Sequence, residues 1–202
     1  MHRLYTFFLY LATPLILLRL FWKGRKLAAY RQRINERFML GLQPKPVDLW
    51  LHAVSLGEVI AATPLIKALL DKGFSVLITT MTPTGSQRVL EQFGETVQHQ
   101  YLPYDLPCAL RFFFKQYAPQ LGLIMETELW PNLIHQAHLA KTPVLLINAR
   151  ISDRAFKRYR QLTFFFKPVL NKLSGVVAHS IIDAKRFAAL GVCNERLSQC
   201  GN

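Results

Sequence analysis

From residue 48 onward, short apolar runs alternate with longer segments of helical periodicity, and this alternation constrains the fold more than any other feature. The runs that predict strands span residues 48–54, 74–82, 97–104, 120–126, 143–149 and 175–180. The segments that predict helices span residues 58–73, 85–93, 108–117, 128–140, 153–173 and 181–190. Apolar strands that are each followed by a helix are typical of a parallel sheet covered on both faces. We therefore predict an α/β domain over residues 48–202, with a Rossmann-like, doubly wound parallel sheet.

The first 40 residues have a different composition and precede a linker rich in Gly and Pro at 41–47. Residues 4–22 are strongly apolar and contain one charge, Arg19. A full membrane span needs about 20 apolar residues, so this segment predicts a membrane anchor that either crosses the bilayer or dips into it. Basic residues are concentrated after residue 22, which predicts that the rest of the chain lies in the cytoplasm.

The segment that follows the anchor, residues 23–40, also has helical periodicity. Its apolar side chains fall on one face of a helix: Leu27, Tyr30, Ile34 and Phe38. Basic side chains cover much of the rest, and this combination suits an anionic lipid surface. We predict a basic amphipathic helix here, which completes an anchor region over residues 1–40.

The chain is strongly basic, with a formal net charge of +13, and therefore calls for an anionic partner. Nucleic acid, an anionic membrane and a phosphorylated substrate all satisfy this requirement. The basic excess lies in residues 1–50 and 150–202, while the centre is close to neutral. The second basic region includes the mixed basic and aromatic stretch 153–173, which suits either nucleic acid or a lipid interface. Because an apolar anchor precedes it, we favour lipid over nucleic acid.

Cysteine and histidine spacing gives no sign of a disulfide framework or a metal site. The three cysteines form no C-x-x-C pair, which indicates reduced thiols. His135 and His138 are three residues apart but have no third ligand nearby in the sequence. The sequence contains no G-x-G-x-x-G motif and no Walker A motif, which argues against a dinucleotide-binding site and against a P-loop nucleotide site.

Polar residues follow several predicted strands, at the sheet edge where ligands of open α/β folds bind. After the first strand, Ser55 and Glu58 form the S-x-x-E pattern of a helix capping box. A carboxylate at that edge could equally take a proton from a substrate hydroxyl. The pattern alone favours the cap and leaves the catalytic role open.

Two further strand ends carry similar alternatives. Glu126 ends the predicted strand at 120–126 and Glu128 follows it, where they are either partners of a helix dipole or members of a site. The hydroxyl-rich segment 79–86 precedes a helix, where it is either an ordinary turn or an anion site.

Several motifs together resemble the 3-deoxy-D-manno-octulosonic acid (Kdo) transferases. They are HAVSLGE (52–58), TTMTPTGS (79–86), YLPYDLP (101–107), METELWPNLI (125–134) and NARIS (148–152). The resemblance covers essentially the whole chain, including the anchor and the basic segment after it. It implies the N-terminal domain of a GT-B glycosyltransferase at the cytoplasmic face of the inner membrane. Such an enzyme moves Kdo from CMP-Kdo to the lipid A precursor, lipid IVA, in lipopolysaccharide biosynthesis.

The resemblance also implies roles for individual residues. Glu58 matches the general base, and Glu128 matches a residue that stabilises the transition state. Candidate substrate-binding residues in these motifs are Ser55, Gly57, Thr82, Thr84, Gly85, Ser86, Glu126 and Arg150. No metal and no cofactor are expected besides the donor CMP-Kdo.

The family has a second Rossmann-like domain, which supplies most of the donor contacts and begins near a Leu-Lys-Phe-Asp-like segment. The sequence stops before that segment, so we expect the donor-binding domain to be absent from this chain. Two functions then stay open. The chain is either the acceptor-side half of a Kdo transferase, not catalytic alone, or a non-enzymatic protein that binds anionic lipid or complements a separate C-terminal chain.

Overall fold

A computed structural model describes residues 2–200 of the chain, apart from the side chain of Lys26. The strands are β1 Leu49–His52, β2 Val76–Thr80, β3 Gln98–Tyr101, β4 Leu121–Met125, β5 Val144–Ala149, β6 Gly175–Ala178 and β7 Leu197–Gln199. The α-helices are α1 His2–Lys26, α2 Leu56–Asp71, α3 Pro83–Phe93, α4 Pro107–Tyr117, α5 Pro131–Leu139, α6 Asp153–Gln161, α7 Thr163–Leu170 and α8 Ile181–Ala189. Short 3-10 helices lie at Ala28–Arg31, Ile34–Phe38, Gly94–Thr96 and Asn194–Arg196.

The strands form one parallel sheet in the order β3-β2-β1-β4-β5-β6-β7, with helices packed around it. The first six strands have the Rossmann order, in which the chain winds outward in one direction from β1 and in the other from β4. The predicted doubly wound parallel sheet is therefore confirmed. β7 was not predicted, because it is a three-residue strand of mixed polarity at the sheet edge.

Alternate side chains of the central strands fill two hydrophobic layers, one on each side of the sheet. Trp50 packs against Phe113 and Phe114 of α4, with ring centroids 5.4 and 5.6 Å apart. Its neighbour Leu51 belongs to the opposite layer, as the period of two in a strand requires. Gly122 on β4 makes room for the indole, because a Cβ there would lie 2.8 Å from a ring carbon of Trp50.

The predicted amphipathic helix over residues 23–40 is wrong. α1 continues to Lys26, and two 3-10 helices replace the remainder. Arg33 and Met39 take left-handed backbone conformations, with φ of 56° and 58°, which an α-helix does not allow. The reason is tertiary: the Glu36 carboxylate accepts the backbone N–H of Tyr101 at 2.8 Å, and this contact holds the segment against β3.

The single helix predicted over residues 153–173 is also wrong. It divides at Leu162, whose φ of −109° and ψ of 25° interrupt the helix between α6 and α7. Tyr159 and Phe166 pack across this break with ring centroids 4.5 Å apart.

One face of α1 lies against the domain along the length of the helix. Half-buried positions recur every three or four residues from His2 to Leu17, and Leu20 is buried. Near the N-terminal end, the Tyr5 hydroxyl donates to Asp105 Oδ2 at 2.8 Å, and the Thr6 hydroxyl donates to Asn132 Oδ1 at 2.9 Å. The opposite face is an exposed apolar stripe: Leu4, Phe7, Phe8, Leu11, Leu15, Leu18, Phe21 and Trp22.

Candidate functional site

The candidate site lies at the carboxyl ends of β1 and β4, the neighbouring strands where the winding of the sheet changes direction. β1 leads through Ala53 to Ser55 into α2, and β4 leads through Glu126 to Trp130 into α5. Two connections that diverge to opposite sides of the sheet leave a crevice between them, which is where ligands of this fold class bind. Glu58 lies in the first turn of α2, and Glu126 and Glu128 lie in the β4–α5 turn.

Glu58 holds the β1–α2 loop together through both carboxylate oxygens. Oε2 accepts the backbone N–H of Val54 at 2.9 Å, and Oε1 accepts the Ser55 hydroxyl at 2.9 Å. Ser55 is the N-cap residue, yet its hydroxyl bonds to Glu58 instead of to a backbone N–H of the helix. In a full capping box, Ser55 would also accept a backbone N–H from the first turn of the helix. Here only the Glu58 carboxylate accepts a backbone N–H, and the donor is Val54, one residue before the N-cap. Each oxygen keeps a second lone pair, so the contacts do not exhaust the acceptor capacity of Glu58.

The electrostatic environment favours the protonated form of Glu58. The residue is only 8% exposed, and burial raises the pKa of its carboxyl group above the ordinary value. The hydrogen bonds from Val54 and Ser55 oppose this change, while the negative charges of Glu126 and Glu128 raise the pKa further. A carboxylate with a raised pKa is better matched to proton transfer near neutral pH.

Glu128 precedes α5 and does not lie within it, contrary to the predicted helix over residues 128–140. Its Oε2 accepts the indole N–H of Trp130 at 2.6 Å. Burial raises the pKa of Glu128, the nearby Glu126 adds to this, and the Trp130 bond opposes it. Three acidic side chains therefore influence one another across the crevice.

Backbone strain marks the same edge of the sheet. Glu126, which follows β4, and Asn148, the last residue but one of β5, take φ values of 58° and 49°. Left-handed conformations are costly for residues other than glycine and recur at functional sites. A cleft of about 440 Å³ opens beside these residues, and Arg150 lines it together with Ala61 and Met125. Glu126 and Arg150 thus follow the ends of the neighbouring strands β4 and β5, at this edge of the sheet.

The segment after β2 packs directly on the Glu58 loop. The carbonyl of Val54 accepts the N–H groups of Met81 and Thr82 at 3.1 and 3.2 Å. Thr82 caps α3 by accepting the N–H of Gly85 at 3.2 Å. A Cβ on Gly85 would lie 3.3 Å from the backbone carbon of Ser55, so glycine allows this close approach. Gly57 and Thr84 are exposed beside this contact.

Ser86, in contrast, is buried in a network of its own. Its hydroxyl oxygen lies 2.7 Å from Arg33 Nη1 and 2.8 Å from His99 Nε2. His99 Nδ1 lies 2.9 Å from the carbonyl oxygen of Ile78, which requires the tautomer with its proton on Nδ1. Ser86 then donates to Nε2 and accepts from Arg33. These contacts occupy Ser86 in the structure.

Sequence reasoning passed over His52, the last residue of β1. The imidazole is fully buried, its ring centroid lies 6.1 Å from that of Trp130, and its Nδ1 contacts Thr79. Burial lowers the pKa of His52 to about 4, so the ring is neutral at physiological pH. Its position inside the HAVSLGE motif, ending an otherwise apolar strand, was the signal that could have identified it.

Within residues 2–200, no three His, Cys, Asp or Glu side chains are arranged to hold a metal ion. Glu58, Glu126 and Glu128 therefore interact electrostatically but are not arranged to chelate a metal ion. The site as described can hold and exchange a proton, and it can stabilise positive charge.

A sequence profile of the family described as 3-deoxy-D-manno-octulosonic-acid transferase (kdotransferase) matches residues 32–202. The chain belongs to this family. The Kdo transferase of Haemophilus influenzae is 42% identical over 203 residues, which cover 98% of this chain and 48% of that protein. The Bordetella pertussis enzyme is 39% identical over 153 residues, which cover 73% of this chain and 36% of that protein. The chain thus spans at most about half the length of these relatives.

The fold also matches a solved structure, UDP-GlcNAc 2-epimerase from Neisseria meningitidis bound to UDP-GlcNAc. The TM-score is 0.56 at 15% identity, with 76% of this chain and 46% of that chain covered. At this level of identity the likeness concerns the fold alone. It agrees with the Rossmann-like strand order of this family member.

Proposed function

We propose that residues 48–202 form the acceptor-side domain of a glycosyltransferase of lipopolysaccharide biosynthesis. In this proposal the enzyme moves Kdo from CMP-Kdo to a hydroxyl of the lipid A precursor lipid IVA. Membership of the Kdo transferase family supports the reaction class. The observation that carries the proposal for this chain is the buried Glu58 between the carboxyl ends of β1 and β4, near two further carboxylates. This is the switch point of the sheet, where its winding changes direction.

The proposed chemistry assigns one step to each acid. Glu58 takes the proton of the acceptor hydroxyl, whose oxygen forms a bond to the anomeric carbon of Kdo as the bond to CMP breaks. Attack opposite the leaving group makes the transfer inverting. Positive charge develops on the sugar during this step, and the Glu128 carboxylate stabilises it. Neither step needs a metal or a cofactor.

The remaining assignments follow from position. Ser55 orients Glu58, and the exposed Gly57 and Thr84 leave room for the acceptor to approach. Thr82, Gly85, Glu126 and Arg150 lie around the same edge of the sheet and are proposed to contact substrate. Ser86 is the weakest of the candidates, because Arg33 and His99 already engage its hydroxyl. Donor contacts are proposed to come from residues outside this chain.

We further propose that α1 attaches the protein to the cytoplasmic face of the inner membrane by lying in the interface. The helix is long and apolar enough to cross a membrane. However, polar contacts from Tyr5 and Thr6 hold its N-terminal half on the domain, and Leu20 is buried near its other end. A helix held on a soluble domain along its length lies beside the bilayer core, and the exposed stripe then faces lipid.

A second candidate function is non-enzymatic: binding of anionic lipid, or completion of a separate C-terminal chain. The formal charge of +13 favours binding of anionic lipid. Both oxygens of Glu58 accept hydrogen bonds from its own loop, which is compatible with a purely structural role. The catalytic proposal gives a role to Glu128 as well as Glu58, and it makes use of the raised pKa values of both carboxyl groups.

The test is a chimera in which residues 1–202 replace the matching half of the Haemophilus influenzae relative. We expect the chimera to transfer Kdo from CMP-Kdo to lipid IVA, and the 202-residue chain alone to show no transfer. Circular dichroism checks that the chimera is folded. A folded chimera without transfer would support the non-enzymatic alternative.

A further inference from the structure

A cleft of about 260 Å³ lies between the C-terminal half of α1 and the segments that follow β2 and β3. Three cations line it: Arg19 and Lys23 from α1, and Arg37 from the 3-10 helix Ile34–Phe38. Tyr104, which follows β3, and Thr82, the N-cap of α3, also line the cleft. This cleft is lined by none of the proposed catalytic acids.

Arg37 is a buried cation without a counter-charge. The residue is 2% exposed, and among residues 2–200 no carboxylate lies within ion-pair distance of its guanidinium. Its Nη2 donates to the carbonyl of Met81 at 3.1 Å, and its guanidinium lies over the rings of Tyr101 and Tyr104, 4.2 and 5.6 Å from their centroids. Its Nε is buried and has no hydrogen-bond partner. Buried charges are normally paired, because an unpaired one is costly.

The neighbouring Arg33 shows what a satisfied arginine of this segment looks like. Its Nε pairs with Glu36 at 2.6 Å, and Nη1 donates to Ser86 at 2.7 Å. The two arginines share the ring of Tyr101, yet Glu36 pairs with Arg33 alone. The positive charge of Arg37 is therefore left without a carboxylate partner at the floor of the cleft.

We propose that this cleft binds a phosphate group, with Arg37 at its floor and Arg19 and Lys23 at its mouth. A guanidinium offers the forked donor geometry that fits phosphate oxygens, and the two exposed cations follow a bound anion easily. The N-terminus of α3, at Thr82, adds a positive dipole end. The cleft is small compared with the roughly 300–1,000 Å³ of sites that enclose whole ligands, so it takes a headgroup and leaves acyl chains outside.

The position of the cleft relates this chemistry to the membrane. Trp22 and Leu18 of the exposed apolar stripe flank Arg19 and Lys23 along α1. A phosphate held here would sit beside a helix that we propose lies in the interface. The chemistry alone is shared by a lipid phosphate and by free phosphate, and the experiment separates the two sources. The proposal concerns binding by this chain, so its outcome is independent of Kdo transfer by the chimera.

The experiment is a calorimetric titration of the 202-residue chain in an uncharged detergent. The probes are dihexanoyl phosphatidic acid, dihexanoyl phosphatidylcholine and inorganic phosphate. We expect phosphatidic acid to bind and phosphatidylcholine not to bind. Arg19→Gln and Lys23→Gln should each weaken binding at least about tenfold, because each removes a charged hydrogen-bond donor. Arg25→Gln is the matched control: it removes the same charge from an exposed position of α1 that does not line the cleft.

Arg37→Lys tests the floor of the cleft, and circular dichroism checks that this buried variant folds. If it does not fold, the variants at Arg19 and Lys23 still decide the question. Binding of inorganic phosphate as tight as that of phosphatidic acid would support the site with phosphate from solution as its ligand. Tighter binding of phosphatidic acid would support a headgroup. Equal losses in the Arg25→Gln control, or no binding of either phosphate probe, would overturn the proposal.

Discussion

At the scale of single residues, Glu58 combines a structural contact with a position suited to chemistry. Its two hydrogen bonds fix the loop that presents it, so the carboxylate is held in place before any substrate arrives. Such preorganisation is an advantage for a group that must meet a hydroxyl at hydrogen-bond distance. The capping and catalytic interpretations of the S-x-x-E pattern are therefore compatible.

The Ser55 hydroxyl gives a test of that arrangement through pH. Its hydrogen bond stabilises the ionised form of Glu58 and so lowers the pKa of that carboxyl group. In the chimera, Ser55→Ala should raise this pKa and move the acidic limb of the pH–rate profile to higher pH. Ser174→Ala, at an exposed hydroxyl between α7 and β6 and outside the Glu58 contacts, is the control and should leave the limb in place. An unchanged limb in Ser55→Ala would mean that Glu58 is not the titrating base.

Buried histidines predict that the chain loses stability in acid. Burial lowers the pKa of His99 and of His52 to about 4, below the ordinary 6.5. The unfolded chain binds more protons between these values, so this contribution is complete above pH 6.5 and is lost as pH falls toward 4. Asp105, whose pKa burial raises to about 6, changes stability in the opposite direction and offsets part of the loss.

The contribution of His99 can be isolated with a variant. Thermal unfolding of the 202-residue chain should show a midpoint that falls between pH 6.5 and pH 4.5. His99→Gln should make this fall smaller, because glutamine does not titrate, although loss of the contacts to Ser86 and Ile78 lowers the midpoint at neutral pH. The same pH dependence in variant and parent would exclude His99 as a source of it.

At the scale of secondary structure, the sequence predicted elements well where local pattern and packing agree. The strand Leu121–Met125, for example, was predicted because it is a continuous apolar run, as expected where both faces of the sheet are covered. The segment 23–40 was not, because its conformation depends on Arg33, Glu36 and Arg37 reaching β3 and the segment after it. The hydrophobic periodicity of the segment cannot predict contacts with Tyr101 and Tyr104, which are more than 60 residues away in the sequence.

The candidate site was predictable to a similar extent. The strand ends that carry Glu58, Glu126 and Glu128 were identified from sequence, since acidic residues directly follow apolar runs. That β1 and β4 are adjacent, which brings these ends together, follows from strand order and could not be deduced from local patterns. The cationic cleft was missed because the basic side chains of residues 23–40 were assigned to the exposed face of a helix that does not form.

The position of α1 predicts which side of the membrane each end of the helix faces. With Cys108, Cys193 and Cys200 replaced by serine, Arg3→Cys and Lys23→Cys variants should both react with a membrane-impermeant reagent from the cytoplasmic side. This is expected because an interfacial helix keeps both ends in the same aqueous phase. Labelling of the two positions from opposite sides would show that the helix spans the bilayer.

At the scale of the whole molecule, the architecture separates two tasks. The sheet positions the acidic crevice at the switch point, while α1 and the basic residues near it form the surface that we propose faces lipid. The two regions meet at the segment after β2, where Met81 and Thr82 contact the Glu58 loop on one side and line the cationic cleft on the other. A lipid phosphate in the cleft would thus lie one loop away from the proposed base.

The central claim is that Glu58 is the base of a transfer reaction, and the rate of Kdo transfer by a Glu58→Gln variant of the chimera tests it most directly. Glutamine keeps the shape and one acceptor oxygen but cannot take a proton, so we expect the rate to fall by roughly 10²–10⁴-fold. Glu91→Gln, on the exposed face of α3, is the control and should transfer at the parent rate. Circular dichroism should show both variants folded. A Glu58→Gln rate within a few-fold of the parent would contradict the account and leave Glu58 as a helix cap.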